Sequence, residues 1–281
     1  MNLQDITFDI TLGRLTGLRA GNPHGPKVLA LHGWLDNAAS FVPLAEQLPD
    51  IDLVMLDLPG HGHSVHLGPG AEYTFVVTMN AILDVADRLG WDRFGLLGHS
   101  MGAGIASLLS ASVPQRVDRL VAIEALGALA DEPGRTTARL RDSMAAARAL
   151  RSKALRVFPD LAAPIRARMQ ANQLSEPCAR LLVERGVVAQ GDGYVWSSDP
   201  RLTLPTLQRF TEAQVREVIA GIGCHTRVIF ANPPQVYLPE PLRSERAGLL
   251  PQGELIVMDG THHLHMETPV AVAHAIHGFF Q

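Results

Sequence analysis

The sequence predicts an α/β fold: a mostly parallel central sheet flanked by helices, with a helical insertion between two of the strands. Three observations carry this expectation. Short apolar runs alternate with helically periodic segments along the chain, the order produced when crossover helices connect parallel strands. The apolar runs lack strict polar alternation, as strands covered on both faces do. About a hundred residues between the run ending near Glu124 and the one starting near Arg227 contain no clear core strand, too many for a structureless loop in a compact domain.

In chain order, Ile6 to Arg19 alternates and is broken by Gly13 and Gly17, which suits antiparallel edge strands joined by a turn. Buried strands are expected at Val28–His32, Leu53–Asp57, Phe94–Leu97, Leu120–Glu124, Val228–Ala231 and Leu255–Met258. Thr74 is placed to cap a helix burying Phe75, Met79, Ile82, Leu83, Ala86 and Leu89, with Gly90 as its stop. A second helix starts just after Ser100 and ends before Pro114; a last one runs from about Val270 to Phe280. Within the long insertion, amphipathic helices are expected at Thr137–Val157, Ile165–Ala171 and Cys178–Val187.

Composition narrows the function classes. Apolar residues make up 47% of the 281 residues and charged residues 19%, an ordinary globular balance. The formal net charge of −4 argues against a general nucleic-acid binder. No run approaches the roughly 18–20 apolar residues that span a bilayer, so no stable membrane insertion is expected. Met1 to Asp5 has neither a basic stretch nor a following apolar run of signal-peptide type. Cys178 and Cys224 match no metal or redox spacing. Both read as free thiols in a reducing compartment, so a cytoplasmic protein is expected. Charge is unevenly spread: Arg135 to Arg185 holds 11 Lys/Arg against 4 Asp/Glu, a net of +7 in an acidic chain.

The chemistry gathers on Gly98-His99-Ser100-Met101-Gly102. The pattern becomes meaningful through its context, an apolar strand before it and an apolar helix after it. A sharp strand-to-helix turn strains its central residue, and flanking glycines remove the clashes. The serine hydroxyl is thereby lifted to the start of a helix, where the Met101 amide can stabilise negative charge. A serine nucleophile needs a base. His262, in Asp259-Gly260-Thr261-His262-His263-Leu264-His265, follows the last strand and leads, with His263 and His265 as rivals. His32-Gly33-Trp34 ends another strand, and the Trp34 amide is expected to join that of Met101 in an oxyanion hole.

These elements, in this order, resemble the α/β-hydrolase superfamily over essentially the whole chain. His32-Gly33-Trp34-Leu35-Asp36-Asn37 with Ser40-Phe41, and Asp57-Leu58-Pro59-Gly60-His61-Gly62-His63-Ser64, are further signatures. Ile123-Glu124-Ala125-Leu126-Gly127 and Asp199-Pro200-Arg201-Leu202 look most like the serine hydrolase-like group within it. The resemblance implies an α/β-hydrolase fold with a core at 1–126 and 206–281 and a helical cap at 127–205.

The acid departs from the superfamily's commonest arrangement, in which an Asp follows the strand read here as Val228–Ala231. This chain has Asn232-Pro233-Pro234-Gln235-Val236-Tyr237 there, with no carboxylate until Glu240. Other members carry the acid after the strand that follows the nucleophile helix, which is Glu124 here. A carboxylate ending an apolar strand is costly unless paired, and a histidine N–H is a suitable partner. The alternatives are a purely structural Glu124, or Glu240 as the acid; Asp259 is read as a strand end and Asp57 as a brace for the Pro59–Gly62 turn.

The expected activity is hydrolysis of carboxylic esters or thioesters through an acyl-enzyme on Ser100, with His262 as base, Glu124 as acid and no cofactor or metal. Carbon–carbon bond hydrolysis, acyl transfer or perhydrolysis in the same site, and a weakly catalytic ligand-binding homologue, are the other readings. Serine at the nucleophile position argues against the dehalogenase and epoxide hydrolase chemistries, which use Asp there. Leu140, Met144, Leu150, Leu155, Phe158, Leu161 and Met169 are apolar positions of the insertion. They either line an acyl pocket or pack the cap on the core. The positive excess there suits an anionic small-molecule acyl substrate or, equally, a solvated helix surface.

Overall fold

The computed structural model describes residues 2–150, 155–206 and 209–281. Its strands are β1 (Gln4–Ile10), β2 (Gly13–Gly21), β3 (Lys27–Leu31), β4 (Asp52–Leu56), β5 (Phe94–His99), β6 (Val117–Ile123), β7 (Val187–Gln190), β8 (Gly193–Trp196), β9 (His225–Asn232) and β10 (Gly253–Asp259). Eight of them form one sheet in the order β1-β2-β4-β3-β5-β6-β9-β10. The β1–β2 and β2–β4 pairs are antiparallel and the remaining pairs are parallel. β1 is an edge strand, as the alternation of Ile6 to Arg19 suggests, whereas β2 lies inside the sheet.

The continuous apolar runs have a direct cause. Successive strand side chains point to opposite faces, and here each face has its own core. Leu29, Leu31, Val54, Leu56, Leu96, Leu120, Ala122, Val228 and Phe230 pack on one side with the helices Phe75–Arg88, Met101–Ser112 and Glu212–Ala220. Val28, Ala30, Leu53, Met55, Leu97, Val121, Ile123, Ile229 and Ala231 pack on the other with Phe41, Leu44, Leu264, Val272 and Ile276. Thr74 caps Phe75–Arg88 by accepting the Val77 N–H, and Gly90 follows at φ +68°. The last helix is shorter than its apolar content suggests, Pro269–Ala275, and is followed by turns in which Gly278 adopts φ +68°. Phe279 and Phe280 still pack against the core from that turn.

Between β6 and β9 lie helices Thr136–Leu150, Ala162–Asn172 and Glu176–Gly186. Two features there were not read from the sequence: the β7–β8 hairpin and the helix Glu212–Ala220. The expected helix Thr137–Val157 is observed to Leu150; positions 151–154 lie outside the described residues, and Leu155 to Val157 are not helical. Helices Ala162–Asn172 and Glu176–Gly186 build a third core from Ile165, Leu174, Cys178, Ala179, Leu182, Val183 and Val187, with Leu161, Met169 and Trp196 packed against it. Met266, four residues beyond His262, completes it. By contrast, Leu140, Met144 and Leu155 are exposed. The apolar positions of the insertion therefore split between packing and surface. Among the described residues, no helix is long and apolar enough to cross a membrane.

One buried ion pair fastens the insertion to the sheet. Arg185, at the end of Glu176–Gly186, sets Nε 3.0 Å from both carboxylate oxygens of Asp57, just past β4. Asp57 also accepts the Thr16 hydroxyl at 2.7 Å and the amides of Ala38 and His63. Gly62 is required beside it, since a Cβ there would lie 2.3 Å from the carboxylate. Burial alone would raise the Asp57 carboxyl; Arg185, Ala38 and Thr16 outweigh that and hold it below the usual carboxylate range. A depressed carboxyl stabilises the fold above its unfolded pKa of about 3.9, and this is lost as pH falls through the lower folded value. Arg185→Ala is expected to reduce unfolding free energy by about 3–5 kcal/mol at neutral pH. It should also move acid unfolding to higher pH, both read by circular dichroism in denaturant and pH titrations.

Candidate active site

The residues singled out from the sequence converge at the carboxyl ends of the parallel strands, where open α/β sheets place their ligand crevices. Ser100 follows β5 directly and adopts φ 51° and ψ −115°, outside the regions open to most L-residues. Its N–H donates to Ile123 O at 2.8 Å and its carbonyl accepts the Gly104 N–H at 3.0 Å, so both sides of the strained peptide are tied. The glycines are steric necessities. A Cβ on Gly102 would lie 1.9 Å from Leu31 O, and one on Gly98 would meet the Ala103 backbone at 2.5 Å. The Ser100 turn is thus pressed onto the end of β3.

His262 follows β10 and sets Nε2 3.0 Å from Ser100 Oγ and Nδ1 3.0 Å from Glu124 Oε2. An ionised carboxylate only accepts, so the ring carries its proton on Nδ1 and Nε2 is left to accept from the serine hydroxyl. Glu124 is 3% exposed, leaves β6 at φ 61°, and also accepts the Ala231 N–H through Oε1. Its own N–H donates to Ile229 O at 2.9 Å. The backbone between β6 and β9 therefore aims this carboxylate.

The rival groups have other partners. His263 Nε2 lies 3.1 Å from Asp36 Oδ2. His265 is fully buried, with Phe41 and His99 rings at 5.2 and 4.1 Å. Glu240 pairs with Arg243 and Ser244, and Asp259 with Asn232.

Met101 follows Ser100 directly, and Trp34 lies in the turn after β3. Met101 is the first residue of its helix, where an N–H has no acceptor within the helix. The turn after β3 is closed by the Asp36 N–H on Gly33 O at 3.1 Å. Gly33 is needed there because a Cβ would lie 2.9 Å from His99 Nδ1. His32 bridges two strand ends: Nδ1–H donates to Gly33 O at 2.7 Å and Nε2 accepts the Leu58 N–H at 3.0 Å. Burial lowers its pKa, in keeping with a neutral ring. The Trp34 indole donates to Leu202 O at 2.8 Å, linking this turn to the insertion.

A buried polar network supports the loop from beneath. Asp36 holds His263 and, at 3.2 Å, Arg168 of the insertion; Arg168 also donates to Leu35 O. Desolvation opposes the Asp36 charge, but His263, Arg168 and His99 together hold its carboxyl well below the usual range. His99 Nε2–H donates to His262 O at 2.8 Å, and burial together with the neighbouring histidines keeps its pKa well below the ordinary imidazole value. Asp36, His99 and His263 bring three potential metal-ligand atoms within 4.8 Å of one another. Arg168 already supplies the countercharge there, so the donor set fits a hydrogen-bonded brace better than a dication site.

One site residue escaped the sequence reading. Tyr237, in the loop after β9, brings its hydroxyl to 3.3 and 3.4 Å from the two His262 ring nitrogens. Burial and the nearby Glu124 charge push its pKa up to about 12. Its only sequence signal is an aromatic residue in the loop that lacks the expected carboxylate.

The α/β hydrolase fold family model matches residues 26–204. A serine hydrolase-like protein of Danio rerio is 29% identical over 99% of this chain and 88% of its own length. A probable serine hydrolase of Drosophila melanogaster is 31% identical, covering 96% of this chain and 85% of its own. The crystal structure of the hypothetical protein PA1622 from Pseudomonas aeruginosa PAO1 superposes with a TM-score of 0.93 at 36% identity, covering 99% of each chain. Fold, sequence and relatives agree: this chain belongs to the α/β-hydrolase family, beside the serine hydrolase-like proteins, and is a hydrolase.

Proposed function

We propose that the protein cleaves carboxylic esters or thioesters through an acyl-enzyme on Ser100, with His262 as general base and Glu124 as the acid of a catalytic triad. The observation that carries this reading is the hydrogen-bonded chain Ser100–His262–Glu124, with both links at 3.0 Å. His262 Nε2 takes the serine proton as Oγ attacks the acyl carbonyl and returns it to the leaving group; a water then repeats the attack on the acyl-enzyme. Glu124 holds the imidazole tautomer and stabilises the imidazolium. The Trp34 and Met101 amides hold the oxyanion, each donor of this kind contributing on the order of 3 kcal/mol. None of these steps calls on a cofactor.

In this reading the segment 127–205 is a cap over the acyl site, with 1–126 and 206–281 as the catalytic core. The substrate is a small acyl ester or thioester in the cytoplasm, an environment that suits two free thiols. Of the eleven Lys/Arg between Arg135 and Arg185, five are paired among the described residues: Arg135 and Arg139 with Asp131, Arg168 with Asp36, Arg180 with Glu176, and Arg185 with Asp57. That favours an uncharged substrate over an anionic one.

A fluorophosphonate probe is expected to label wild-type protein stoichiometrically at Ser100 and to leave Ser100→Ala unlabelled; an unlabelled wild type would defeat the reading. Glu124→Gln should lower turnover of p-nitrophenyl esters by two orders of magnitude or more while leaving the thermal unfolding midpoint nearly unchanged. Full activity in that variant would move the acid elsewhere. Raising salt from low to molar concentration should alter turnover of matched anionic and neutral esters alike. A selective loss for the anionic ester would restore electrostatic steering by the cap.

A further inference from the structure

The loop 233–241 carries no acid for His262, yet it is built firmly. Leu238 is buried in the sheet-side core. Arg243, 5% exposed, donates to Ala231 O at 2.7 Å and pairs with Glu240, whose other oxygen accepts the Ser244 hydroxyl at 2.6 Å. What this anchored loop presents to the site is the Tyr237 hydroxyl.

That hydroxyl is not committed to His262. The two ring nitrogens flank one carbon, so a point nearly equidistant from both lies along neither in-plane lone pair. The perpendicular ring planes, at 87°, agree with a hydroxyl over the imidazole rather than in line with it. Nδ1 is already engaged by Glu124 and Nε2 by Ser100. The phenol thus stands beside the reacting atoms, its hydroxyl interacting with that of Ser100 as well as with the imidazole, and with its pKa raised to about 12 it keeps its proton through the neutral range.

Topology fixes its side of the nucleophile. In the sheet order β3-β5-β6-β9-β10, the Trp34 turn follows β3 on one side of Ser100, while Tyr237 and His262 follow β9 and β10 on the other. The Tyr237 loop therefore approaches Ser100 from the side opposite the Trp34 turn. It lies with the base, where the leaving group must depart to receive its proton.

We infer that Tyr237 is a catalytic residue that donates a hydrogen bond to the leaving-group oxygen, selecting oxygen esters of alkanols over thioesters. The inference rests on the acyl-enzyme reading above. As the tetrahedral adduct collapses, the bond from carbon to the leaving oxygen breaks and its electron pair stays on that oxygen. The proton on His262 Nε2 moves to it, and the alcohol departs. Tyr237 retains its own proton throughout and stabilises the charge that builds before transfer is complete. An alkoxide needs this help. A p-nitrophenolate, already a stable anion, needs little, and so does a thiolate, whose thiol is far more acidic than an alkanol.

Tyr237→Phe keeps the half-exposed ring and removes only the hydroxyl. The measurement is kcat/KM, which reports acylation, for three substrates sharing one acyl group: an alkyl ester, a p-nitrophenyl ester and an alkyl thioester. The expected result is a loss of about tenfold for the alkyl ester, the size of one hydrogen bond in the transition state, and changes within about twofold for the other two. Equal losses on all three, or no loss on the alkyl ester, would overturn the inference. Fluorophosphonate labelling separates the two readings. If wild type is not labelled at Ser100, the acyl-enzyme reading itself fails. If wild type is labelled and Tyr237→Phe is not, Tyr237 merely supports the Ser100–His262 pair and the leaving-group role falls alone.

Discussion

The left-handed backbone at Ser100 is the constraint on which the rest of the site depends. An L-residue at φ 51° is held only where its surroundings leave no alternative, and here the surroundings are backbone. Gly102 lies against Leu31 O and Gly98 against Ala103, so the turn touches β3, β5 and its own helix at once. The Ser100 N–H is taken by the end of β6. β3, β5 and β6 therefore hold the Ser100 turn through main-chain contacts.

Glu124 repeats this device one strand further along. It too leaves its strand with positive φ, at 61°, and it too is stitched to the neighbouring strand, through Ile229 O and the Ala231 amide. The consequence is electrostatic. A buried carboxylate is tolerable when its lone pairs are met by donors, and Glu124 meets two, one from the backbone and one from His262. With the carboxylate partner of His262 supplied after β6, the loop after β9 is free of that duty. Tyr237 stands in the space so released.

Much of this was legible in the sequence because strand burial, helix capping and the glycine pattern are local signals. Val28, Leu53, Phe94, Leu120 and Val228 begin or lie within buried strands, and Thr74 caps its helix as its neighbours suggest. Leu255, by contrast, lies in β10, an edge strand whose side chains are mostly exposed and not buried as expected. The hairpin Val187–Trp196 was missed because its four-residue strands carry too short a pattern to outvote the helix before them. The helix Glu212–Ala220 has a Thr211–Gln214 capping box and buries Val215 and Ile219 at i, i+4 spacing, a helical signal spread over only nine residues. The histidines show the deeper limit. His262, His263 and His265 share one composition and one loop; only their tertiary partners, Glu124, Asp36 and the apolar ring of Phe41, distinguish them. Tyr237 had no periodic or motif signal, since its meaning lies in two nitrogens 25 residues away.

Met266 gives the insertion a bearing on how such a protein can change over time. This residue sits on the short helix Leu264–Glu267 behind His262, yet its side chain fills the insertion's own core, and Cys178 and Ser175 bond to the Met266 carbonyl and the Glu267 carboxylate. The segment that carries His262 is thus shared property of both parts. A different insertion grafted between β6 and β9 would have to supply a new partner for Met266 or leave the His262 loop unsupported. Diversification here should proceed by substitution on the outward helix Thr136–Leu150, whose side chains are mostly exposed, and not by wholesale exchange of the segment.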